Sequence, residues 1–342
     1  MKLICAESTF LTQRIRMFRL IPVDKDVSRE KDIYPGQYLN FLFRDTSGAS
    51  FHRCYTVVNS EKGEYYDVII EDKGEGHASA TLSRLLLNKK EVEVTEHGGE
   101  ITFNTLRDKT NVLLMANGIG ITLPLALLRE SFRHYGYTVA QKNVVLQLSC
   151  TDLKSMPCLN ELLDLHLRSN WFTLRINVTR ASPIRHSEFI NSGRIEVGRD
   201  VKGVIPDIAI ICGSVGFAQT MMTALQQHFP KTTIAVEAFS SAPALKLSDS
   251  EPVISPARLT VQNMGREINV TAGATVLENL MQHGIPIRNM CRSGICGSCK
   301  FRLIGGEVQT VPDFCLSTKD HQENIHLACC SYSEKDIVIE TL

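Results

Sequence analysis

Nine residues near the end of this chain constrain it more than any other stretch: Cys291-Arg292-Ser293-Gly294-Ile295-Cys296-Gly297-Ser298-Cys299. Three cysteines stand at C-x4-C-x2-C spacing, and Cys329 follows 30 residues after Cys299. This is the plant-type ferredoxin spacing, in which four thiolates hold a 2Fe-2S cluster. Gly294, Gly297 and Ser298 are small enough for the backbone to wrap the cluster and aim amides at its sulfurs. Cys291, Cys296, Cys299 and Cys329 are therefore the predicted metal ligands. The blander reading, a zinc site or unrelated thiols, explains neither the spacing nor the distant fourth cysteine. A cluster carries one electron at a time, so the rest of the chain must hold a source of electrons and reach an acceptor.

The 342 residues suggest two or three domains, and the formal net charge is zero. A neutral balance gives no support to a nucleic-acid partner. No apolar run approaches the ~20 residues of a membrane helix, and the N-terminus lacks the apolar core of a signal peptide. Eleven cysteines fit a reducing compartment as four ligands plus free thiols, so the expected location is cytoplasmic.

Residues 1–106 read as an antiparallel β-barrel. Short apolar strands (14–22, 38–43, 52–58 and 65–70) alternate with turn signals. In the third, Arg53 and Tyr55 share a face, so Tyr55 is placed to stack on a flat ring while Arg53 grips its phosphate tail. A surface ion pair and a core tyrosine are the plainer alternative. The glycine loop 73–77, with Gly76, enters a helix near Ser79 and offers amides to a phosphate.

Residues 107–240 alternate strand and helix, the pattern of a parallel nucleotide-binding sheet. The first strand, 111–116, turns at Asn117-Gly118-Ile119-Gly120-Ile121-Thr122 into a helix at 123–132. A second strand, 208–212, ends on Cys212-Gly213-Ser214. Both turns lie where open α/β sheets bind ligands. Residues 241–256 read as a linker. Residues 257–342 hold a hairpin turning at Met264-Gly265, a helix, the cysteine loop and a closing strand, the order of a β-grasp domain.

On these residues the chain resembles the phthalate dioxygenase reductase family, which includes vanillate demethylase reductases. Arg53-Cys54-Tyr55-Thr56 resembles its R-x-Y-S/T flavin motif and Pro35-Gly36-Gln37-Tyr38 its P-G-Q segment. Gly118, Gly120 and Thr122 match its G-I-G-I-T nucleotide turn. Cys212-Gly213 resembles the start of C-G-P, and Glu237-Ala238-Phe239 its E-x-F end, where the aromatic lies near the flavin. Leu327-Ala328-Cys329 matches the segment carrying the last cluster ligand, which selects Cys329 over the adjacent Cys330; Cys315, only 16 residues after Cys299, is read as a free thiol on the plant-type spacing.

The resemblance implies an NADH-dependent reductase that passes electrons through flavin and a 2Fe-2S cluster to a terminal oxygenase of Rieske type. The implied flavin is FMN, with FAD the alternative because the 74–79 loop departs from the family's G-G-S run. NADH is expected because no basic cluster awaits a 2′-phosphate. Thr56 is expected to bond the flavin edge, and no general base is required, since hydride transfer depends mainly on positioning. The Arg292–Ile295 rim is the expected docking face. At the two strand-end turns three positions depart from the family: Asn117 for glycine, Leu123 for proline and Ser214 for proline. They motivate an alternative, a redox-sensing or binding protein with a decayed nucleotide site; a diiron oxygenase is the alternative acceptor.

Overall fold

The computed structural model describes every residue except 25–31, 47, 49, 181–188, 204, 240–253, 290–293, 295, 296, 311–315 and 317, and the side chains of 254–256. The chain divides into two compact units, Met1–Ala238 and Phe239–Leu342.

The first unit begins with six strands: β1 (Lys2–Phe10), β2 (Ile15–Pro22), β3 (Tyr38–Arg44), β4 (Ser50–Glu61), β5 (Tyr65–Glu71) and β6 (Val92–Gly98). They close into a barrel in the order β1-β2-β5-β4-β3-β6. Two of the six, β1 and β6, go beyond the strands read from sequence; β6 alternates buried Val92 and Val94 with exposed Glu93 and Thr95, whereas β1 buries only Leu3 and Cys5 and exposes Ala6 and Glu7 in succession. Alternate residues such as Phe18, Leu20, Leu39, Phe41, Val57, Val68 and Val94 meet in one interior cluster, the period-2 pattern of strands covered on one face. A helix, α1 (Ala78–Leu87), packs Leu82 and Leu86 into the same cluster. A short α2 (Phe103–Arg107) leads out of the barrel.

The remainder of this unit is a six-stranded sheet. Its strands are β7 (Asn111–Asn117), β8 (Asn143–Cys150), β9 (Phe172–Val178), β10 (Ile190–Ser192), β11 (Ile208–Ser214) and β12 (Thr233–Phe239). The order is β10-β9-β8-β7-β11-β12, and the described pairings are parallel. Val112–Ala116 and Ile208–Cys212 are buried throughout, as strands covered on both faces must be. The helices are α3 (Thr122–Tyr135), α4 (Leu159–Arg168), α5 (Val197–Asp200) and α6 (Val215–His228). The chain runs outward from β7 to β10 and then returns to place β11 on the other side of β7. Strand order therefore reverses between β7 and β11, which opens the ligand crevice of this fold class at their carboxyl ends. The α3 helix lies along β4, and Arg133 of α3 donates to Asn59 of β4, so the barrel rim and the crevice adjoin.

The second unit has strands β13 (Ile254–Val261), β14 (Arg266–Thr271), β15 (Lys300–Gly305), β16 (Gln309–Thr310), β17 (Ile325–Leu327), β18 (Ser331–Tyr332) and β19 (Ile337–Thr341). Five form a sheet in the order β14-β13-β19-β15-β17, with the hairpin turning at Gly265, φ +60°. The α7 helix (Val276–Gln282) starts with a reciprocal Thr275–Glu278 capping box. Its core includes Cys299, Cys329 and Cys330. Of the expected linker, 241–253 lie outside the described residues, and Ile254–Pro256 belong to β13.

Candidate functional site

Four side chains from distant parts of the first unit converge at the crevice. Thr56 on β4 is buried, and its hydroxyl donates to Glu237 Oε1 on β12 at 3.2 Å. Thr122, the first residue of α3, donates its own hydroxyl to Thr56 Oγ1 at 3.4 Å. Cys212, fully buried at the end of β11, completes the group. Local structure fixes Thr56: the Gly36 amide donates to Val57 O and the Val57 amide to Gln37 O, and a bulge follows between Val57 and Asn59. The Pro35-Gly36-Gln37 turn thus clamps the strand immediately beyond the threonine.

Electrostatics at this point are those of an interior. Glu237 keeps part of its residue surface accessible, but protein surrounds its carboxyl densely. Burial pushes its pKa up to about 7, opposed only by the bond from Thr56. Burial also drives the Cys212 thiol well upward; the nearby Glu237 carboxylate adds to this, and the Leu123 amide facing the sulfur works against it. Cys212 is therefore a neutral thiol at physiological pH, a packing group rather than a nucleophile. Glu237 is the residue sequence reasoning passed over as a functional group. Its signal was a lone carboxylate in the otherwise apolar run Thr233–Phe239.

The nucleotide turn is built by contact between β7 and β11. A Cβ on Gly120 would lie 2.4 Å from the Cys212 carbonyl oxygen and 2.7 Å from Gly213 Cα. Gly120 thus allows two backbones to touch, whereas Gly118, at φ +53°, faces open space. Neither Asn117, at the start of the turn 118–121, nor Ile121, before α3, makes a side-chain capping bond, and no acidic residue stands in either first turn. The Asn117 side chain instead crosses to β11. Ser214 N donates to Asn117 Oδ1 at 2.9 Å, Asn117 Nδ2 donates to Ser214 Oγ at 3.3 Å, and Phe217 N donates to the same Ser214 Oγ at 3.4 Å. All three departures from the family pattern thus supply groups that glycine or proline lacks: the Asn117 amide, the Leu123 N–H and the Ser214 N–H.

The remaining predicted residues of the first half of the chain lie along the barrel. Arg53 is exposed; it donates to the His52 carbonyl and lies over Phe51. Tyr55 is half-buried, edge-on to Phe41 at 5.9 Å, and burial raises its hydroxyl pKa. Much of its ring thus serves the barrel core, the plainer of the two roles read from sequence. Cys54, between them, is half-buried. Gly76 and Ser79 belong to the β5–α1 connection, where Lys73 N donates to Ser79 Oγ. The α1 N-terminus has no side-chain cap and no acidic residue in its first turn, so its amides fit an anion. No hydrogen bond among the described residues joins this loop to the Thr56 group. Phe239 ends β12, half-buried.

In the second unit Cys291 and Cys296 lie outside the described residues, as do Cys315 and most of the Arg292–Ile295 rim. No group of three metal-binding side chains occurs among the described residues. The two ligand candidates at 329 and 330 differ in their backbone contacts. Gly294 N donates to Cys329 Sγ at 3.2 Å, as the amides of a cluster loop do, whereas Cys330 Sγ faces the Leu327 carbonyl at 3.8 Å; the two sulfurs lie 4.0 Å apart.

Residues 259–334 match the family model of the 2Fe-2S iron-sulfur cluster binding domain. The chain is 26% identical over 331 residues to the glycine betaine monooxygenase reductase subunit of Pseudomonas aeruginosa, an alignment covering 90% of this chain and 86% of that one. It is 27% identical over 158 residues to the vanillate O-demethylase oxidoreductase of Acinetobacter baylyi, covering 45% and 48%. The solved phthalate dioxygenase reductase superposes with a TM-score of 0.56 at 19% identity, covering 99% of this chain and 97% of that one. The chain is thus similar in sequence to reductase components of oxygenase systems and in fold to phthalate dioxygenase reductase. As in that fold, barrel, parallel nucleotide sheet and cluster domain follow one another along the chain. No helix among the described residues is long and apolar enough to cross a membrane.

Proposed function

We infer that the chain is an NADH-dependent flavin and iron–sulfur oxidoreductase, the reductase component that supplies electrons to a partner oxygenase. The observation that carries this reading is the meeting of Thr56, Thr122, Cys212 and Glu237 where the barrel rim adjoins the switch-point crevice, in one chain with a 2Fe-2S domain. A bound flavin would accept an electron pair from NADH and release electrons singly to the cluster.

The chain's own residues hold the reacting groups. The uncapped amides at the start of α1 fit a flavin phosphate, with FMN favoured over FAD by the domain order. Those around Gly118–Thr122 fit a pyrophosphate. Arg53, exposed beside Tyr55, supplies a cation for the flavin tail, and Phe239 an aromatic ring. Thr122, Thr56 and Glu237 form a line of hydroxyls ending on a carboxyl that shares its proton near neutral pH. This line orients the Thr56 oxygen and can hold or accept one proton at Glu237 Oε1. Cys212 packs without charge, which keeps the crevice floor apolar for a nicotinamide ring. Cys291, Cys296, Cys299 and Cys329 are the four thiolates for the cluster, and the Gly294 amide supports the last of them.

A Rieske-type oxygenase is the partner class we propose, reached through the 292–295 rim, and the cytoplasm is the proposed location. The sensor alternative rested on positions 117, 123 and 214. Asn117 and Ser214 bond to each other and the Leu123 amide faces the Cys212 sulfur, which supports a built turn rather than a decayed one. Mixing purified protein with NADH and cytochrome c tests the function. Rapid reduction supports it, while bound flavin without turnover supports the sensor. An absorption spectrum with the extracted flavin identified by mass separates FMN from FAD.

A further inference from the structure

We propose that Asn59 is a positioning residue for hydride transfer. It clasps the second half of α3 to the barrel, so that the start of that helix keeps its place against Thr56. The proposal rests on the reductase reading above and adds to it what aligns the barrel with the nucleotide sheet.

Asn59 shares β4 with Thr56 and lies just past the bulge that follows Val57. The barrel braces its amide from behind. Asn59 Nδ2 donates to Asp67 Oδ2 at 3.0 Å and to Tyr65 Oη at 3.2 Å. Arg19 holds both of those acceptors. Its guanidinium forks onto the two Asp67 oxygens at 2.9 Å each, and it lies over the Tyr65 ring, 4.2 Å from the centroid. Asp67 itself is buried. With both N–H groups of Asn59 engaged on the barrel, its oxygen is left to face α3. There Asn59 Oδ1 accepts from Arg133 Nη2, while Arg133 Nη1 donates to Glu130 on its own helix. The contact is thus steadied from both sides.

Polar groups therefore join α3 to β4 near both ends of the helix. At its start the Thr122 hydroxyl meets Thr56 at 3.4 Å, a long hydrogen bond that fixes no angle by itself. Arg133 stands about 16 Å further along the helix axis. Between them Arg129 forks onto Glu161 of α4 at 2.7 and 2.8 Å, which ties α3 to the nucleotide sheet. Without the Asn59 clasp, α3 is free to pivot about its start, and the turn at 118–121 runs directly into that start. Reacting atoms must come within about 3–3.5 Å of each other, and a shift of about 1 Å produced far from the chemistry is enough to slow a reaction. The clasp acts on alignment and touches neither reactant.

Stopped-flow reduction of the flavin in the holoprotein reads the NADH dissociation constant and the limiting rate separately. Arg133 is exposed, so Arg133→Ala leaves the core intact, and Asn59→Ala leaves the Arg19–Asp67 fork in place. We expect each to lower the limiting rate roughly three- to tenfold, with the NADH dissociation constant within about twofold of wild type. The double variant should lose no more than either single one, because both remove the same contact. Limiting rates that stay at the wild-type value, losses that multiply in the double variant, or a loss matched by an equal fall in NADH affinity each overturn the proposal. A clasp that only stabilises would lower the thermal midpoint and leave the limiting rate at room temperature unchanged, which overturns it equally. A wild-type holoprotein whose flavin NADH does not reduce overturns the reductase reading itself, and the wild-type control tells the two failures apart.

Discussion

Glu237 is a carboxyl whose charge the fold disfavours, and this has a defined pH signature. Its pKa rises from 4.5 to about 7, so the folded chain keeps a proton that the unfolded chain has already released. Below pH 4.5 both states are protonated and the residue contributes nothing. As pH rises through this window stability falls, and above about 7 the full cost, on the order of 3 kcal/mol, is present. Glu237→Gln should remove this slope, which denaturant unfolding across the window checks. Thr56→Val should raise the Glu237 pKa further, because it deletes the one bond favouring the charged form. The carboxyl-stretch infrared titration reads that shift directly. Thr56 was legible in its motif, and Glu237 was visible as a charge in an apolar strand. Their partnership was not, because 181 residues separate them and a hydrogen bond between two strands leaves no local pattern.

The two glycines of the nucleotide turn look alike in sequence and behave differently in the element they build. Gly120 meets backbone on β11, which has nowhere to move. Gly120→Ala should therefore cost about 1–3 kcal/mol by overpacking and lower the rate of flavin reduction by NADH. Gly118→Ala meets open space and only a left-handed φ, so about 1 kcal/mol is expected. Urea unfolding midpoints of the two variants give the comparison. Periodicity located β7, β11 and α3 within a few residues. It was silent on why the turn between them needs two small residues, because the reason for one of them is a strand that arrives some 90 residues later.

At the scale of the molecule, the two units keep separate cores. Damage to one should then spare the chemistry of the other. Cys329→Ser should abolish the visible absorption of the cluster and lower the thermal stability of the second unit, since a small domain leans on its bound metal. Flavin reduction by NADH should persist. Cys330→Ser should keep the cluster, because its sulfur faces the Leu327 carbonyl. Loss of the cluster in Cys330→Ser with retention in Cys329→Ser would reverse the ligand assignment. The order of barrel, sheet and cluster domain could be read along the chain, because each has its own period and each carries its own glycine or cysteine signature.

What the sequence by itself determined is the inventory: a cysteine loop, a barrel strand with its Arg53-Cys54-Tyr55-Thr56 motif, a glycine turn after β7, and the domain type that holds each. These are set by spacing within about ten residues, where covalent reach and local backbone geometry decide what can be built. Tertiary structure alone decided the pairings. It joined Thr56 to Glu237, laid Gly120 against Cys212, and turned Asn117 from its own helix to Ser214. It also made two unexpected residues, Asn117 and Ser214, into mutually supporting ones. The physical reason is that a buried polar group must find a partner somewhere, and which partner it finds depends on strand order, a property of the whole sheet.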